Sequence, residues 1–371
     1  MSPFRRVVPA VLLALLAACD NSSSISASTF PYAIAVGDFN RDGKPDLAVA
    51  KNGTANVGVF LGTGSGLDAI VDYGVNVAPV GVASVDLNGD GKLDLVVANY
   101  GANTVSVLLG NGDGTFRPNV DYPTGTGPSF VVVGDFNGDG KTDVSVANAG
   151  ANTVSVLLGN GDGTLQAKVD YPTGNSPIGM AVGHFQGSQV LDLAVADSAG
   201  NTVSVLLGKG DGTFQAKSDY ATGSGPVMVV AGDFNGDGKL DLATSNSSAN
   251  TISVLLGNGD GTFQPKADTA AGSQPAFLAT ADLNGDGKLD LVVPLYAANT
   301  VGVLLGNGDG TFEKGVSYAT GTGPNWVVVV DMNGDGKLDL AVADVLGDSV
   351  VLLFGNGDGT FEPAQAYSTD G

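Results

Sequence analysis

The nine residues Asp86-Leu-Asn88-Gly-Asp90-Gly91-Lys92-Leu-Asp94 decide how this chain folds, because closely similar stretches recur along it. The repeats are 48 residues apart once and 49 residues apart thereafter, and they begin at Asp38, Asp86, Asp135, His184, Asp233, Asp282 and Asp331. Around each loop lie four short runs with the period of two that is typical of half-buried strands, and no helical periodicity is present. The repeat length therefore defines a four-stranded unit.

A four-stranded unit cannot bury both of its faces alone, so it must stack on its neighbours. Seven such units close into a ring, whereas an open solenoid would need atypical units at its ends. The sequence thus predicts an all-β fold, a seven-bladed β-propeller over residues 30–371 with four antiparallel strands and about 49 residues per blade. In the third unit, for example, we expect the fourth strand to run from Leu165 to Tyr171.

The repeated loop has oxygen-bearing side chains at positions 1, 3, 5 and 9. Calcium takes six to eight oxygen ligands, and carboxylates or amides at alternate positions of a short loop suit it. In the second loop Gly91 at position 6 permits a sharp turn, and Lys92 at position 7 offers its carbonyl while its side chain is expected to face water. An EF-hand is not predicted, because position 12 is apolar and the flanks read as strands rather than helices.

The alternative is a set of Asp-Gly turns without an ion. Three carboxylates crowded together repel one another unless a cation neutralises them, so six copies of the pattern favour calcium. We expect about six Ca²⁺ per chain. The predicted ligands are Asp38, Asn40, Asp42, Lys44 and Asp46; Asp86, Asn88, Asp90, Lys92 and Asp94; Asp135, Asn137, Asp139, Lys141 and Asp143; Asp233, Asn235, Asp237, Lys239 and Asp241; Asp282, Asn284, Asp286, Lys288 and Asp290; and Asp331, Asn333, Asp335, Lys337 and Asp339.

The fourth loop differs from the other six. In His184-Phe-Gln186-Gly-Ser188-Gln189-Val-Leu-Asp192 only position 9 keeps its carboxylate, although the length is the same. We therefore expect the fourth blade to keep its fold and to bind no calcium.

Residues 1–18 have the pattern of an export signal. Two arginines precede an apolar run from Val7 to Ala18, which is too short to span a bilayer. The segment Leu16-Ala-Ala-Cys19 resembles the lipobox of a bacterial lipoprotein signal peptide. That resemblance implies cleavage before Cys19, lipid attachment to it, and a lipid-anchored protein exported to the periplasmic side or the surface of the bacterial envelope. The alternative is an ordinary secretory signal in which Cys19 has no role. Residues 19–29 then form a Ser-rich tether.

The net charge of −22 comes largely from the turns. Nineteen of the 38 acidic residues lie in the seven loops, and six more lie in a second repeated turn, Gly-Asn-Gly-Asp-Gly-Thr. Such an acidic surface is a poor partner for nucleic acid, whose binding depends on neutralising phosphates. Cys19 is the only cysteine, so no internal disulfide can form. We expect a monomer that contacts the membrane only through its anchor.

The loop Asp-Phe-Asn-Gly-Asp-Gly-Lys-Leu-Asp, preceded by Phe-Val-Val-Val-Gly and followed by Leu-Ala-Val-Ala, resembles the FG-GAP or VCBS repeat of integrin α-subunit propellers and many bacterial surface proteins. The resemblance covers residues 30–371. It implies a seven-bladed propeller whose intact loops bind calcium, and it does not specify an activity, because the family includes adhesion modules, lectins and domains attached to enzymes.

The face opposite the calcium loops varies more between units, as a binding surface is free to do. Five residues before the loops of blades 3, 5, 6 and 7 lie bulky side chains, which are expected either to form an aromatic arc at the channel mouth or to pack between adjacent blades. Two tyrosines and an asparagine are expected on turns of the same face. The candidate ligand-binding residues are Phe130, Met228, Phe277, Trp326, Tyr100, Tyr296 and Asn325.

No catalytic set stands apart from the repeat, so we expect a non-catalytic protein that binds a carbohydrate or an envelope or extracellular protein, as in adhesion or recognition. His184 is the only histidine, which excludes a zinc cluster of His and Cys. A carboxylate-dependent polysaccharide lyase or hydrolase that uses Asp344 or Asp348 is one alternative. A structural scaffold of an envelope complex is the other.

Overall fold

A computed structural model describes residues 28–370 of the chain. It contains 28 strands, and no helix in this range is long and apolar enough to cross a membrane. The expectations for the export signal, the lipidation of Cys19 and most of the tether concern residues outside the described range.

The strands repeat in groups of four, and each group forms one antiparallel sheet in sequence order. The innermost strands are β1 (Pro31–Gly37), β5 (Pro79–Val85), β9 (Pro128–Gly134), β13 (Pro177–Gly183), β17 (Pro226–Gly232), β21 (Ala279–Ala281) and β25 (Pro324–Val330). The second strands are β2 (Asp46–Lys51), β6 (Asp94–Asn99), β10 (Asp143–Asn148), β14 (Asp192–Asp197), β18 (Asp241–Asn246), β22 (Asp290–Leu295) and β26 (Asp339–Asp344).

The third strands are β3 (Asn56–Phe60), β7 (Thr104–Leu108), β11 (Thr153–Leu157), β15 (Thr202–Leu206), β19 (Thr251–Leu255), β23 (Thr300–Leu304) and β27 (Ser349–Leu353). The outermost strands are β4 (Val71–Gly74), β8 (Val120–Pro123), β12 (Val169–Pro172), β16 (Ser218–Ala221), β20 (Ala267–Ala270), β24 (Val316–Ala319) and β28 (Gln365–Ser368). The seven-bladed, all-β propeller predicted from the repeat is confirmed. The fourth strand of blade 3 is shorter than predicted, since Leu165 forms only a separate bridge with Gly159.

Aromatic rings hold adjacent blades together. Between blades 1 and 2 the ring of Phe116 meets Phe39 at 5.5 Å and Tyr73 at 5.3 Å, both edge to face. Blades 3 and 4 repeat the arrangement with Phe214, where Tyr171 lies 5.3 Å away. Edge-to-face pairs add about 0.5–1.5 kcal/mol each beyond the area they bury. The repeated Asp-Tyr pair of the outermost strands is therefore part of the interface between blades.

Several blades each contain a buried network of polar side chains that runs from the second strand to the outermost strand. In blade 3 the amide of Asn148 donates to Ser155 Oγ at 2.8 Å, and Ser155 donates to Asp170 at 2.6 Å. In blade 4 the equivalent of Asn148 is Asp197, which is fully buried. Ser204 Oγ lies 2.6 Å from Asp197 and 2.7 Å from Asp219. One hydroxyl proton cannot serve two ionised carboxylates, so this network favours a proton on Asp197.

Burial raises the pKa of Asp197 to about 7. An unfolded Asp loses its proton near pH 4, so the folded state binds more protons between about pH 4 and 7, and stability falls as the pH rises through that window. We expect Asp197→Asn to stabilise the protein at pH 8 by about 2–4 kcal/mol and to have little effect near pH 4. Urea unfolding at both pH values measures this.

The matched control is Asn148→Asp, which installs the blade 4 arrangement in blade 3. It should destabilise the protein at pH 8 and leave it nearly unchanged near pH 4. Equal stability of wild type and Asp197→Asn at pH 8 would contradict the assignment of a buried, protonated carboxyl group.

The ring closes between blades 1 and 7 without exchange of a strand, since β1 to β4 and β25 to β28 form complete separate sheets. Side chains join the two blades instead. Asp348, on blade 7, accepts hydrogen bonds from the N–H of Phe30 at 2.9 Å, from Thr29 Oγ1 at 3.1 Å and from Ser28 Oγ. Lys51 of blade 1, only 1% exposed, donates to Asp72 and to the carbonyl of Thr369, each at 2.8 Å.

Candidate functional site

The propeller has two chemically different faces, because successive turns of an antiparallel meander alternate between its ends. The seven repeated loops and the Gly-Asn-Gly-Asp-Gly turns form one face, here called the acidic face. The opposite face, here called the neutral face, comprises the links between blades (75–78, 124–127, 173–176, 222–225, 271–274 and 320–323) and the turns after the second strands (52–55, 100–103, 149–152, 198–201, 247–250, 296–299 and 345–348). Asp348 is the only charged residue in these segments.

Five of the six intact loops on the acidic face share one hydrogen-bond pattern, and the first loop, with Arg41 at position 4, lacks the bond from that residue. In blade 3 the carboxylate of Asp135 accepts from the N–H groups of Gly138 and Gly140 at 2.7 and 2.8 Å. The amide oxygen of Asn137 accepts from the N–H of Asp139 at 2.9 Å. Positions 1, 3 and 5 are thereby held in one short turn with partly or fully exposed side chains, a set of oxygens of the kind that a hard cation binds.

The carboxylate at position 9 has a different place in the structure. Asp143 is fully buried, and its two oxygens accept from the N–H of Phe136 at 2.9 Å and of Gly159 at 2.8 Å. Burial raises the pKa of this carboxyl group. Within residues 28–370 no three His, Cys, Asp or Glu side chains come together closely enough to form a metal cluster. Position 9 therefore also joins the loop to the blade, and Ca²⁺ binding by the donors at positions 1, 3, 5, 7 and 9 stays a prediction.

The lysine at position 7 does not simply face water as expected. In all six intact loops its Nζ pairs with the carboxylate at position 5, for example Lys239 with Asp237 at 3.2 Å and Lys337 with Asp335 at 3.7 Å. The ammonium group is drawn to the nearest carboxylate of an acidic loop. The backbone N–H of Lys239 and this ammonium group hold the pKa of Asp237 below its usual range.

In the fourth loop, hydrogen bonds from the side chains of Gln186 and His184 replace those that the position-1 carboxylate makes in the intact loops. The amide Nε2 of Gln186 donates to Asp192 at 2.7 Å and to the carbonyl of Gly208 at 3.1 Å. His184 Nδ1 lies 3.0 Å from the carbonyl of Val190. Gly187 at position 4 keeps a positive φ of 68°, whereas Gln189 at position 6 does not adopt the left-handed conformation of its glycine counterparts. The absence of calcium from this blade stays a prediction.

Restoring the loop pattern with His184→Asp, Gln186→Asn, Ser188→Asp and Gln189→Gly should add one bound Ca²⁺ per chain. The change supplies the missing oxygens and the glycine that the turn requires. Calorimetric titration of the variant and the wild type measures the stoichiometry. A variant that folds and binds the same number of ions as the wild type would contradict our interpretation of the fourth loop.

The aromatic side chains of blades 3, 6 and 7 meet at the centre of the ring and stack on one another. Ring centroids are 4.8 Å apart for Phe277 and Trp326, 5.3 Å for Phe130 and Trp326, and 6.0 Å for Phe130 and Phe277. The three residues are 3–9% exposed. The expected open arc is therefore wrong, because rings from equivalent positions around a narrow channel bury more area against one another. They form an aromatic plug near the neutral face.

The short first strand of blade 6 helps to form this plug. Pro294 lies within β22 and has no N–H to donate towards the first strand, so β21 pairs only from Ala279 onward. The N–H of Phe277 instead donates to the carbonyl of Asn325 in blade 7 at 3.0 Å. In the sequence, Pro294 is the residue that indicates the shorter first strand of blade 6. Met228, the fourth bulky residue of the predicted arc, is half-buried and lines the channel.

Below the plug the channel is an apolar cavity of about 510 Å³. Ile34, Met180, Val230 and Val328 are among its lining residues, and Thr280 is the polar side chain there. Phe277 and Trp326 of the plug are also among its lining residues.

Three tyrosines lie at the neutral end of the channel. Tyr100 and Tyr296 occupy equivalent turns of blades 2 and 6 and are partly exposed. Each ring lies against a glycine of the next link, since a Cβ added at Gly127 or Gly323 would come within 3.2 or 3.1 Å of it. The third, Tyr32, was not predicted and stands edge to face with Phe277 at 6.1 Å. Burial, with the nearby Tyr296 and Tyr100 hydroxyls, raises the pKa of Tyr32.

Asn325 lies in strand β25 rather than on a turn, which corrects its predicted position. It is fully buried, and its Nδ2 donates to the carbonyl of Tyr32 at 3.1 Å. Its Oδ1 is buried and has no hydrogen-bond partner in the described part of the chain. The mouth is defined as Tyr32, Tyr100, Tyr296 and Asn325. It has two partly exposed tyrosines, a buried tyrosine and a buried amide, and it has no charge.

The two carboxylates of the enzyme alternative serve structural roles. Asp344 is fully buried and accepts from the N–H of Gly321 at 2.8 Å, and burial raises its pKa to about 6. Asp348 holds the first described residues to blade 7. Neither carboxylate is among the residues that line the central channel.

Comparison with known proteins supports the repeat assignment. The model of the FG-GAP-like repeat matches residues 38–97, 86–146, 135–195, 184–244, 233–293 and 295–342. The search of curated protein sequences found no relative of this chain.

Several solved structures share the propeller fold at low sequence identity. An Agrocybe aegerita lectin, described in specific recognition of non-reducing terminal N-acetylglucosamine, is 21% identical over 93% of this chain and 92% of that chain, with a TM-score of 0.57. The periplasmic gluconolactonase of Pseudomonas aeruginosa is 18% identical over 85% and 88%, with a TM-score of 0.59. An inactive virginiamycin B lyase of Staphylococcus aureus, with quinupristin, is 14% identical over 87% and 95%, with a TM-score of 0.58. These matches concern the fold alone.

Proposed function

Because this chain belongs to the FG-GAP-like repeat family, we propose that it is a non-catalytic, calcium-binding recognition propeller that binds a carbohydrate through its neutral face. The observation that carries the proposal is the mouth, where the partly exposed Tyr100 and Tyr296 lie near the buried Tyr32 on a face almost without charge. Calcium in the six intact loops would neutralise carboxylates on the opposite face. The proposed carbohydrate site and the proposed calcium sites therefore lie on opposite faces of the propeller.

The chemistry of the mouth suits an uncharged saccharide. Tyrosine offers an apolar face for the C–H side of a sugar ring and a hydroxyl group for its polar edge. Tyr100 and Tyr296 are the partly exposed members of the mouth, so they can offer both groups to a sugar. The fold match to the Agrocybe aegerita lectin is compatible with this use of a propeller.

The place of action follows from the lipobox-like segment at Cys19. We propose that the protein is exported and anchored by lipid at this residue, as a monomer with no affinity for nucleic acid. Extracellular calcium modules bind at about 10⁻⁴–10⁻³ M, so such loops fill outside the cytosol. The protein could instead bind another protein or act as an inert scaffold, and the experiment below distinguishes these two alternatives from carbohydrate binding.

A glycan array probed with the Cys19→Ser protein, with and without calcium, tests the proposal. We expect binding to uncharged saccharides and none to uronic-acid or sulfated glycans, because the mouth has no cationic side chain to pair with a carboxylate or sulfate group. A pull-down from envelope extract runs in parallel. Failure to bind any glycan while capturing one defined protein would favour protein recognition, and failure of both would favour the scaffold.

Tyr100→Ala and Tyr296→Ala should each weaken glycan binding by about tenfold, since losing an aromatic contact costs about 1–1.5 kcal/mol. Titration calorimetry with the best glycan of the array measures the change. Tyr122→Ala, on the outermost strand of blade 2, is the matched control and should bind like the wild type. Unchanged affinity in both mouth variants would contradict the site.

A further inference from the structure

The first described residues leave the propeller on the neutral face. Ser28, Thr29 and Phe30 are all bonded to Asp348, which lies in the turn between β26 and β27. That turn belongs to the neutral face, as do Tyr100 and Tyr296 of the mouth. The point of attachment of the tether and the mouth therefore lie on the same side of the ring.

The tether is too short to turn the propeller over. Nine peptide steps separate Cys19 from Ser28, and they span at most about 32 Å when fully extended. To reach the acidic face the chain would have to cross two strand spacings to the rim, about 10 Å, and then the length of a seven-residue strand, about 23 Å. The loops at both ends add to that path. A lipid on Cys19 thus holds the neutral face towards the bilayer.

The charge distribution favours the same orientation. Loops and turns of the acidic face hold 25 of the 38 acidic residues and eight basic residues, so this face stays negative even with six Ca²⁺ bound, and the anionic lipids of envelope membranes repel it. The neutral face presents no such barrier. It also carries two of the exposed apolar side chains, Val77 at 59% and Leu346 at 47% exposure. Leu346 stands two residues before the tether contact at Asp348 and beside the glycine on which Tyr296 rests.

We propose that the saccharide recognised at the mouth is the headgroup of an uncharged glycolipid in the membrane that holds the Cys19 anchor. This inference rests on the proposed carbohydrate function and adds the source of the ligand. A mouth that faces the bilayer at a distance of at most about 32 Å meets saccharides carried by lipids rather than free polysaccharide. The uncharged lining selects against anionic headgroups.

Orientation is tested with the lipidated full chain in phosphatidylcholine vesicles. The lipid occupies the only natural cysteine, so single reporters can be placed and labelled with a fluorophore: Thr126→Cys on the neutral face and Lys209→Cys on the acidic face. Both positions are exposed and lie in neighbouring blades. We expect headgroup spin labels to quench the Thr126→Cys probe several-fold more than the Lys209→Cys probe. Equal or reversed quenching would overturn the inference.

Ligand source is tested with the Cys19→Ser protein in vesicle flotation. We expect it to float with phosphatidylcholine vesicles containing digalactosyldiacylglycerol, and not with phosphatidylcholine alone or with added phosphatidylglycerol. The Tyr100→Ala/Tyr296→Ala double variant should lose flotation. Binding to phosphatidylglycerol vesicles, or glycan-array binding without flotation on glycolipid, would overturn the glycolipid inference and leave the carbohydrate function standing. Absence of all glycan binding would instead reject that function itself.

Discussion

Removing calcium with EDTA should lower the melting temperature by roughly 10 °C. An ion present at tenfold its Kd stabilises the folded state by about 1.4 kcal/mol, so six sites contribute about 8 kcal/mol. The effect should extend beyond single blades, because four of the seven loops accept a backbone hydrogen bond from the next blade. In one junction the N–H of Gly114 donates to the carbonyl of Phe39 at 3.0 Å. Differential scanning calorimetry with and without EDTA measures the shift.

The control for this experiment removes a single site. Asp86→Asn with Asp90→Asn should eliminate one bound ion and about one sixth of the EDTA-induced shift, while changes at His184 alone should have no effect on it. A melting temperature that does not respond to EDTA would contradict calcium binding in all six loops at once.

Replacing Lys51 with leucine should destabilise the protein by about 3 kcal/mol. The change leaves Asp72 and the carbonyl of Thr369 without their donor, and the second of these joins blade 7 to blade 1. Urea unfolding at neutral pH measures the loss.

Blade 6 provides the matched control for this variant. It has Leu295, Gly302 and Ser317 where blade 1 has Lys51, Gly58 and Asp72. The double variant Lys51→Leu/Asp72→Ser therefore copies an arrangement that this chain already folds, and it should regain most of the stability. If the double variant were less stable than Lys51→Leu, the loss would not arise from the unpaired carboxylate.

The repeat made the fold predictable from the sequence. The distance from Asp86 to Asp135 fixes the blade length, and the alternation in β10 predicts a strand. All six residues of β10 are buried rather than every second one, because blades pack against both faces of the sheet. The ends of the strands are harder to predict from the sequence. In blade 3 the polar residues from Gln166 to Lys168 interrupt the alternation, and Leu165 therefore lies outside β12.

The candidate site was only partly predictable. Tyr100 and Tyr296 stand out because they replace small residues at a repeated turn position. The plug could not be foreseen, because Phe130, Phe277 and Trp326 are far apart in sequence and meet only where their strands converge on the axis. Tyr32 was missed for the same reason, since the repeat places it in a strand and not at the mouth.

The closure by side chains makes the covalent order of the blades arbitrary. Thr29 Oγ1 lies 2.5 Å from Thr369 Oγ1, so the two ends of the described chain meet at one junction between blades. A peptide joining them would lie where the other six junctions already have a link. Circular permutants opened at any of those links are therefore expected to form the same ring. In each permutant the tether would leave the propeller from a different blade.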